Sequence, residues 1–161
     1  MPKINGVHMP SLALAQIIHH ATNGFKLDLQ GTHGMPHWNR VNQRALELAE
    51  VTGANRKVVT LFAYLHDVCR EDENEDAQHG QRGAANALAL SAIYDMHLSH
   101  PEKMLLHDAI FAHSEGKLSD DPIIATCWDA DRLDLWRVGI TPAARYLSTA
   151  AAKTMLQHEF K

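Results

Sequence analysis

The sequence predicts an all-helical protein, and three observations carry that expectation. Apolar residues recur at helical spacing along most of the chain, Ala and Leu are abundant, and strand signals are poor. One run, Val58-Val59-Thr60-Leu61-Phe62-Ala63-Tyr64-Leu65, is apolar nearly all round, which marks it as the central, buried helix.

The elements follow in order. Ser11 is the expected N-cap of a first helix reaching about His20, with Leu12, Ala15 and Ile18-His19 at helical spacing. Three glycines between Asn23 and Met35 make that segment a loop. Pro36 suits the first turn of a helix, where its missing N–H costs nothing; this helix runs through Val41, Ala45, Leu48 and Ala49 and stops near Gly53. Asn55 is the expected cap of the central helix, which ends at His66-Asp67. The run from Arg70 to Asp76 reads as a charged loop, followed by a helix from about Gln78 to Tyr94. Its acidic residues lack the glycine and terminal glutamate spacing of a helix-loop-helix calcium site. Pro101 opens another helix reaching His113. Asp120-Asp121-Pro122 starts one through Asp131 and Leu135, and Thr141-Pro142 repeats that signal for a last helix toward Glu159.

A chain of 161 residues suits one domain, 1–161, with one core. The net charge of -4 argues against an extended nucleic-acid surface but not against a small nucleotide pocket. Cys69 and Cys127 are far apart and form no CxxC motif, which favours a reduced compartment and gives no ground for asserting a disulfide. The N-terminus lacks the apolar core of a signal peptide. No uncharged apolar stretch approaches the about 20 residues that span a bilayer, so a soluble cytoplasmic protein without a membrane partner is expected. Trp128, Trp136, Tyr146 and Phe160 serve either the core or a homodimer surface, which periodicity does not separate.

Twelve histidines raise the prior for metal chemistry. His66-Asp67 places two metal-binding side chains where the buried helix ends. An ion out of water is costly, and the negative carbonyl end of a helix favours a cation. The bland alternative is a pair making local hydrogen bonds. A second dipeptide, His107-Asp108, lies off the stripe Leu106, Ala109, Ile110 and His113, so it faces solvent while His113 faces inward. His37 lies in the first turn of its helix, either a ligand or packed on Trp38. In Trp128-Asp129-Ala130-Asp131-Arg132-Leu133-Asp134, Asp129 and Asp131 point to opposite sides, so only one meets a shared metal. Asp131 and Asp134 share a face. The remaining histidines, His8, His19, His20, His33, His97, His100 and His158, are read as uninvolved.

The order His37, then His66-Asp67, then Asp131 resembles the HD-domain superfamily of metal-dependent phosphohydrolases. The resemblance includes Pro36-His37-Trp38-Asn39-Arg40-Val41, Leu65-His66-Asp67-Val68-Cys69-Arg70, His79-Gly80-Gln81-Arg82-Gly83-Ala84, His113-Ser114 and Asp129-Ala130-Asp131-Arg132-Leu133-Asp134. It implies an all-helical HD-domain bundle with a metal between central helices and His37, His66, Asp67 and Asp131 as its ligands. In that superfamily the last aspartate precedes a residue of the Arg132 type, which selects Asp131 over Asp129. His79 and His113 match histidines that bind a second metal or line the pocket in some members.

Two imidazoles and two carboxylates suit a divalent ion such as Mn, Fe, Co, Ni, Mg or Zn. Such an ion polarises a phosphoryl oxygen and lowers the pKa of a bound water. The expected chemistry is hydrolysis of a small phosphate ester, with nucleotides among the candidates. Asp67, His79 and His113 are the catalytic candidates, and Arg40, Arg132 and Arg82 are the phosphate-binding ones. A surface ion pair is the alternative for each arginine. Glu71 either orients water or belongs to the solvated loop. Two other functions are kept: an HD-fold di-iron oxygenase, and a non-catalytic nucleotide-binding module.

Overall fold

The computed structural model describes residues 11–159, with side chains from residue 13 onward; His8 and Phe160 lie outside the described residues. Seven α-helices are joined by loops and two short 3-10 turns, with no strand among the described residues. They are α1 (Ser11–Gly24), α2 (Met35–Thr52), α3 (Arg56–Leu65), α4 (His79–Ile93), α5 (His100–Phe111), α6 (Pro122–Arg132) and α7 (Ala150–Glu159). No helix among the described residues is long and apolar enough to cross a membrane.

Helix α3 is the centre of the bundle. Every residue from Val58 to Leu65 is buried, and the helix packs against α1, α2, α5 and α6. Asn55 caps it as expected, its side chain accepting from the Lys57 and Val58 N–H groups. Leu61, Phe62 and Leu65 of this helix share the core with Trp38 and Val41 of α2 and Leu106 and Ile110 of α5. Gly53 closes α2 in the left-handed conformation (φ 76°), where a glycine carries no Cβ penalty.

Glycines set how close α4 comes. A Cβ on Gly80 would stand 2.6 Å from the Phe111 carbonyl oxygen, and one on Gly83 would stand 3.0 Å from Ile110 Cγ2 and 3.2 Å from the His66 carbonyl. This approach brings His79, at the start of α4, beside the end of α5 and the end of α3.

Helix α6 ends at Arg132, short of Leu135, where a 3-10 turn, Leu135–Val138, begins. Two other boundaries differ from the sequence expectation. Helix α1 continues to Gly24 rather than ending near His20. The last helix starts at Ala150, well after Thr141-Pro142. Asp129 explains the second difference: its buried carboxylate accepts from the Ser148 and Thr149 N–H groups and from the Thr149 hydroxyl. Thr149 Oγ1 in turn accepts from Ala152 N–H, so Thr149 begins the helix. The segment after Pro142 instead holds a 3-10 turn, Ala144–Tyr146.

Candidate metal centre

The four expected ligands come together from three helices. His37 stands in the first turn of α2, His66 and Asp67 follow the last turn of α3, and Asp131 lies near the end of α6. His37 Nε2 is 3.1 Å from His66 Nε2, 3.2 Å from Asp131 Oδ1 and 3.4 Å from Asp67 Oδ2. His66 Nε2 is 3.4 Å from Asp131 Oδ1 and 3.5 Å from Asp67 Oδ2. Neighbouring ligands of an ion with bonds of about 2.1 Å stand roughly 3 Å apart, so this spacing fits one ion.

His79 and His113 form a second group with the other carboxylate oxygen of Asp67. Their Nε2 atoms are 2.9 Å apart, and each lies within hydrogen-bond range of Asp67 Oδ1, at 3.3 and 3.2 Å. Asp67 thus faces both groups, one oxygen to each.

The same bonding pattern orients all four imidazoles. His37 Nδ1–H donates to Asp134 at 2.7 Å, and His66 Nδ1–H donates to the Phe62 and Ala63 carbonyls. His79 Nδ1–H donates to the Asp76 carbonyl and His113 Nδ1–H to the Ile110 carbonyl. Carboxylates and carbonyls only accept, so each Nδ1 carries a proton and each Nε2 is the ring atom turned inward, a lone-pair donor wherever it carries no proton of its own. Lone pairs facing each other at about 3 Å repel unless a cation lies between them. Asp131 Oδ1 is buried and has no hydrogen-bond donor of its own. The donor set and this acceptor fit a divalent metal ion, and the buried His/Asp groups are placed to hold one.

The charges show the same demand. Burial works to lower the pKa of His37, but the carboxylates of Asp131, Asp134 and Asp67 push it up to about 10. Burial likewise opposes ionisation of Asp67, yet His66, with His113, His33 and His37, holds its carboxyl well below the usual carboxylate range. Asp131 is held down in the same way against burial, by His66 and His37.

Asp129 is not part of this cluster. Its carboxylate is spent on the start of α7, as described above, and burial raises its pKa. Asp134 is fully buried and accepts from both His37 and Arg40.

That last contact bears on the phosphate-binding expectation for Arg40. Arg40 makes a two-pronged bond to Asp134 and stacks over Trp136, outside the cavity that opens onto the donor cluster. Arg82 likewise pairs with Asp76 and the Cys69 carbonyl and is not among the residues lining that cavity. Arg132 does line the cavity, beside Asp67, His79, His113 and Asp131. Of the acids considered for water orientation, Glu71 is exposed and bonded to Lys26.

His33 was read as a loop histidine, but it is buried and lines the cavity. Its Nε2–H donates to the Glu73 carbonyl, and its Nδ1 is 3.5 Å from Asp67 Oδ2. The signal that could have found it is local: Trp38, next to His37, anchors the His33 carbonyl through its indole N–H. His107-Asp108 pairs at the surface, as expected.

No protein-family model matches the sequence, and no curated protein matches it. Solved structures do. A protein described as a predicted HD superfamily hydrolase from an uncultured Thermotogales bacterium superposes with a TM-score of 0.71 at 25% identity, over 91% of this chain and 84% of that one. A structural-genomics protein from Lactobacillus plantarum superposes with a TM-score of 0.54 at 24% identity, over 78% of this chain and 57% of that one. The chain is therefore an all-helical protein with a buried His/Asp cluster fit for metal. Its fold is that of the HD-domain superfamily.

Proposed function

We propose that the protein is a metal-dependent phosphohydrolase acting on a small phosphate ester, with His37, His66, Asp67 and Asp131 as ligands of a divalent ion. The observation that carries this reading is the convergence of the His37 and His66 Nε2 atoms with the carboxylates of Asp67 and Asp131 beneath an open cavity of about 700 Å³. The HD superfamily hydrolase described above supports the hydrolytic class. When bound, a divalent ion supplies a Lewis acid for a phosphoryl oxygen and an acidified water.

The chain's own residues do the rest. Asp134 and the carbonyls of Phe62 and Ala63 hold the His37 and His66 rings in the donor orientation. The buried guanidinium of Arg132 offers N–H groups to phosphate oxygens. His79 and His113 line the same cavity and, with Asp67, form a donor group for a second ion. Shared use of Asp67 by both groups also keeps an oxygen-activating di-iron site as the second reading.

The test is a phosphatase and phosphodiesterase panel with Mn, Co, Ni, Mg and Zn, together with metal analysis and oxygen uptake. His66→Ala and Asp67→Ala are expected to lose bound metal and turnover while keeping their helical circular dichroism. Parent-like hydrolysis by both variants would remove the site assignment. Two irons per chain with oxygen consumption would favour the second reading.

A further inference from the structure

The cavity over the donor cluster is divided by chemistry, and the division depends on how the arginines are spent. Arg40, Arg44, Arg56 and Arg82 each pair with a carboxylate. The three that line the cavity pair with no carboxylate among the described residues and bond backbone carbonyls instead. Arg70 donates to the Asp72 and Asn74 carbonyls, Arg132 to that of Tyr146, and Arg137 to those of Thr32 and Asp134. Carbonyls hold these groups in place without neutralising them, although the nearby carboxylates of Asp131 and Asp129 offset part of the Arg132 charge. Arg132 also presents a buried terminal nitrogen with no partner, a costly state that an anionic oxygen from the cavity would relieve.

Depth separates this charge from the rest of the wall. Arg132 is 6% exposed and Arg70 9%, whereas Val138, Ile140 and Tyr146 are 40%, 53% and 44% exposed. Arg132 and Arg70 thus lie deep, with Asp67 and Asp131 in the same wall, Arg137 is half-buried, and the mouth is apolar on the side of Leu135, Val138, Ile140 and Tyr146. Glu73 also lines the cavity and brings negative charge to it.

We propose that the ligand of this cavity is a phosphomonoester of an apolar or aromatic alcohol, an inference that rests on the hydrolase reading above. One phosphoryl group meets Arg132 and Arg137 beside the donor cluster, and the organic body lies on Leu135, Val138, Ile140 and Tyr146. A triphosphate or an extended diester would set further negative charge against apolar side chains and Glu73, with Arg70 as the one of these three arginines left to answer it. Hydrolysis of the monoester forms a bond from water oxygen to phosphorus and breaks the phosphorus–oxygen ester bond. The electron pair leaves on the ester oxygen, which takes up a proton, and the products are the alcohol and inorganic phosphate.

The experiment uses the full chain reconstituted with the divalent ion that gives the highest turnover. It compares kcat/KM for 1-naphthyl phosphate, glycerol 2-phosphate and a nucleoside triphosphate, and measures binding of the non-hydrolysable 1-naphthylphosphonate by calorimetry. 1-Naphthyl phosphate is expected to be preferred over both others. Its advantage over glycerol 2-phosphate is expected to fall about tenfold in Ile140→Ser and in Val138→Ser, as the loss of apolar contact with a substrate body predicts. Both positions are exposed, so circular dichroism should show the parent fold in each. Phosphonate binding that weakens in these variants, with no ester turned over, would keep the ligand class and remove the hydrolase reading. Turnover that favours the triphosphate, or a preference indifferent to both substitutions, would keep hydrolysis and overturn the ligand class.

Discussion

Asp134 controls how the His37 ring is presented. It accepts the Nδ1 proton at 2.7 Å and is itself held by two guanidinium bonds from Arg40, so the opposite nitrogen is aimed into the cluster. Such outer partners are typically worth 10–100-fold in metal affinity. Asp134→Asn is therefore expected to weaken metal binding by about 10-fold or more in a competition titration with a chromogenic chelator. Parent affinity would show that the ring is held by packing alone. Asp129 and Asp131, two positions apart, should separate in the same assay. Asp131→Ala is expected to lose bound metal. Asp129→Ala is expected to keep it and to lose stability instead, because three half-buried donors at the start of α7 lose their acceptor, at no more than about 1–3 kcal/mol for each one left unsatisfied. Metal content by mass spectrometry and urea unfolding distinguish the two.

The elements meet at the site because one helix pair packs unusually close. Gly80 and Gly83 give α4 room against the Ile110 and Phe111 carbonyl end of α5 and the end of α3. Gly80→Ala puts a methyl group 2.6 Å from a carbonyl oxygen, so α4 must shift. The expected cost is about 1–3 kcal/mol in urea unfolding, with a displaced His79 read from its imidazole NMR signals. Much at this level was legible in the sequence. Asn55, Pro36 and Asp121-Pro122 act through neighbours two or three residues away, and their helices begin where these signals place them. Thr141-Pro142 carries a start signal of the same kind and starts no helix, because the competing acceptor, Asp129, lies 19 and 20 residues from the donors it captures.

Across the whole molecule, charges from α2, α3 and α6 are balanced inside one cluster, and this sets a pH dependence. His37 is raised from 6.5 to about 10, so in the metal-free protein it contributes stability that is full below pH 6.5 and lost as pH rises toward about 10. Asp67 and Asp131 are lowered from 3.8, so their contribution is present above pH 3.8 and lost as pH falls through their folded values. The thermal midpoint of metal-free protein is expected to peak between these limits and to fall on the alkaline side. A bound ion needs His37 deprotonated, so the stabilisation gained on adding metal should grow with pH over the same alkaline range. Thermal scans with and without chelator check both. A midpoint of metal-free protein that stays level from pH 6.5 to 10 would mean that His37 does not hold its proton in the folded chain.

Periodicity and capping, which act over a few residues, determined from the sequence alone that the chain is helical, that Val58–Leu65 lies at its centre and that His113 faces inward. The HD resemblance added which histidines and aspartates to bring together. Only the tertiary structure decided which arginine faces the cavity and which is spent on a carboxylate. It alone revealed Asp134 behind His37, His33 in the wall, and Asp129 holding the last helix. The physical reason is distance along the chain. Arg40 and His37 find Asp134 across 94 and 97 residues, and a charged side chain carries no local mark of the partner that will neutralise it.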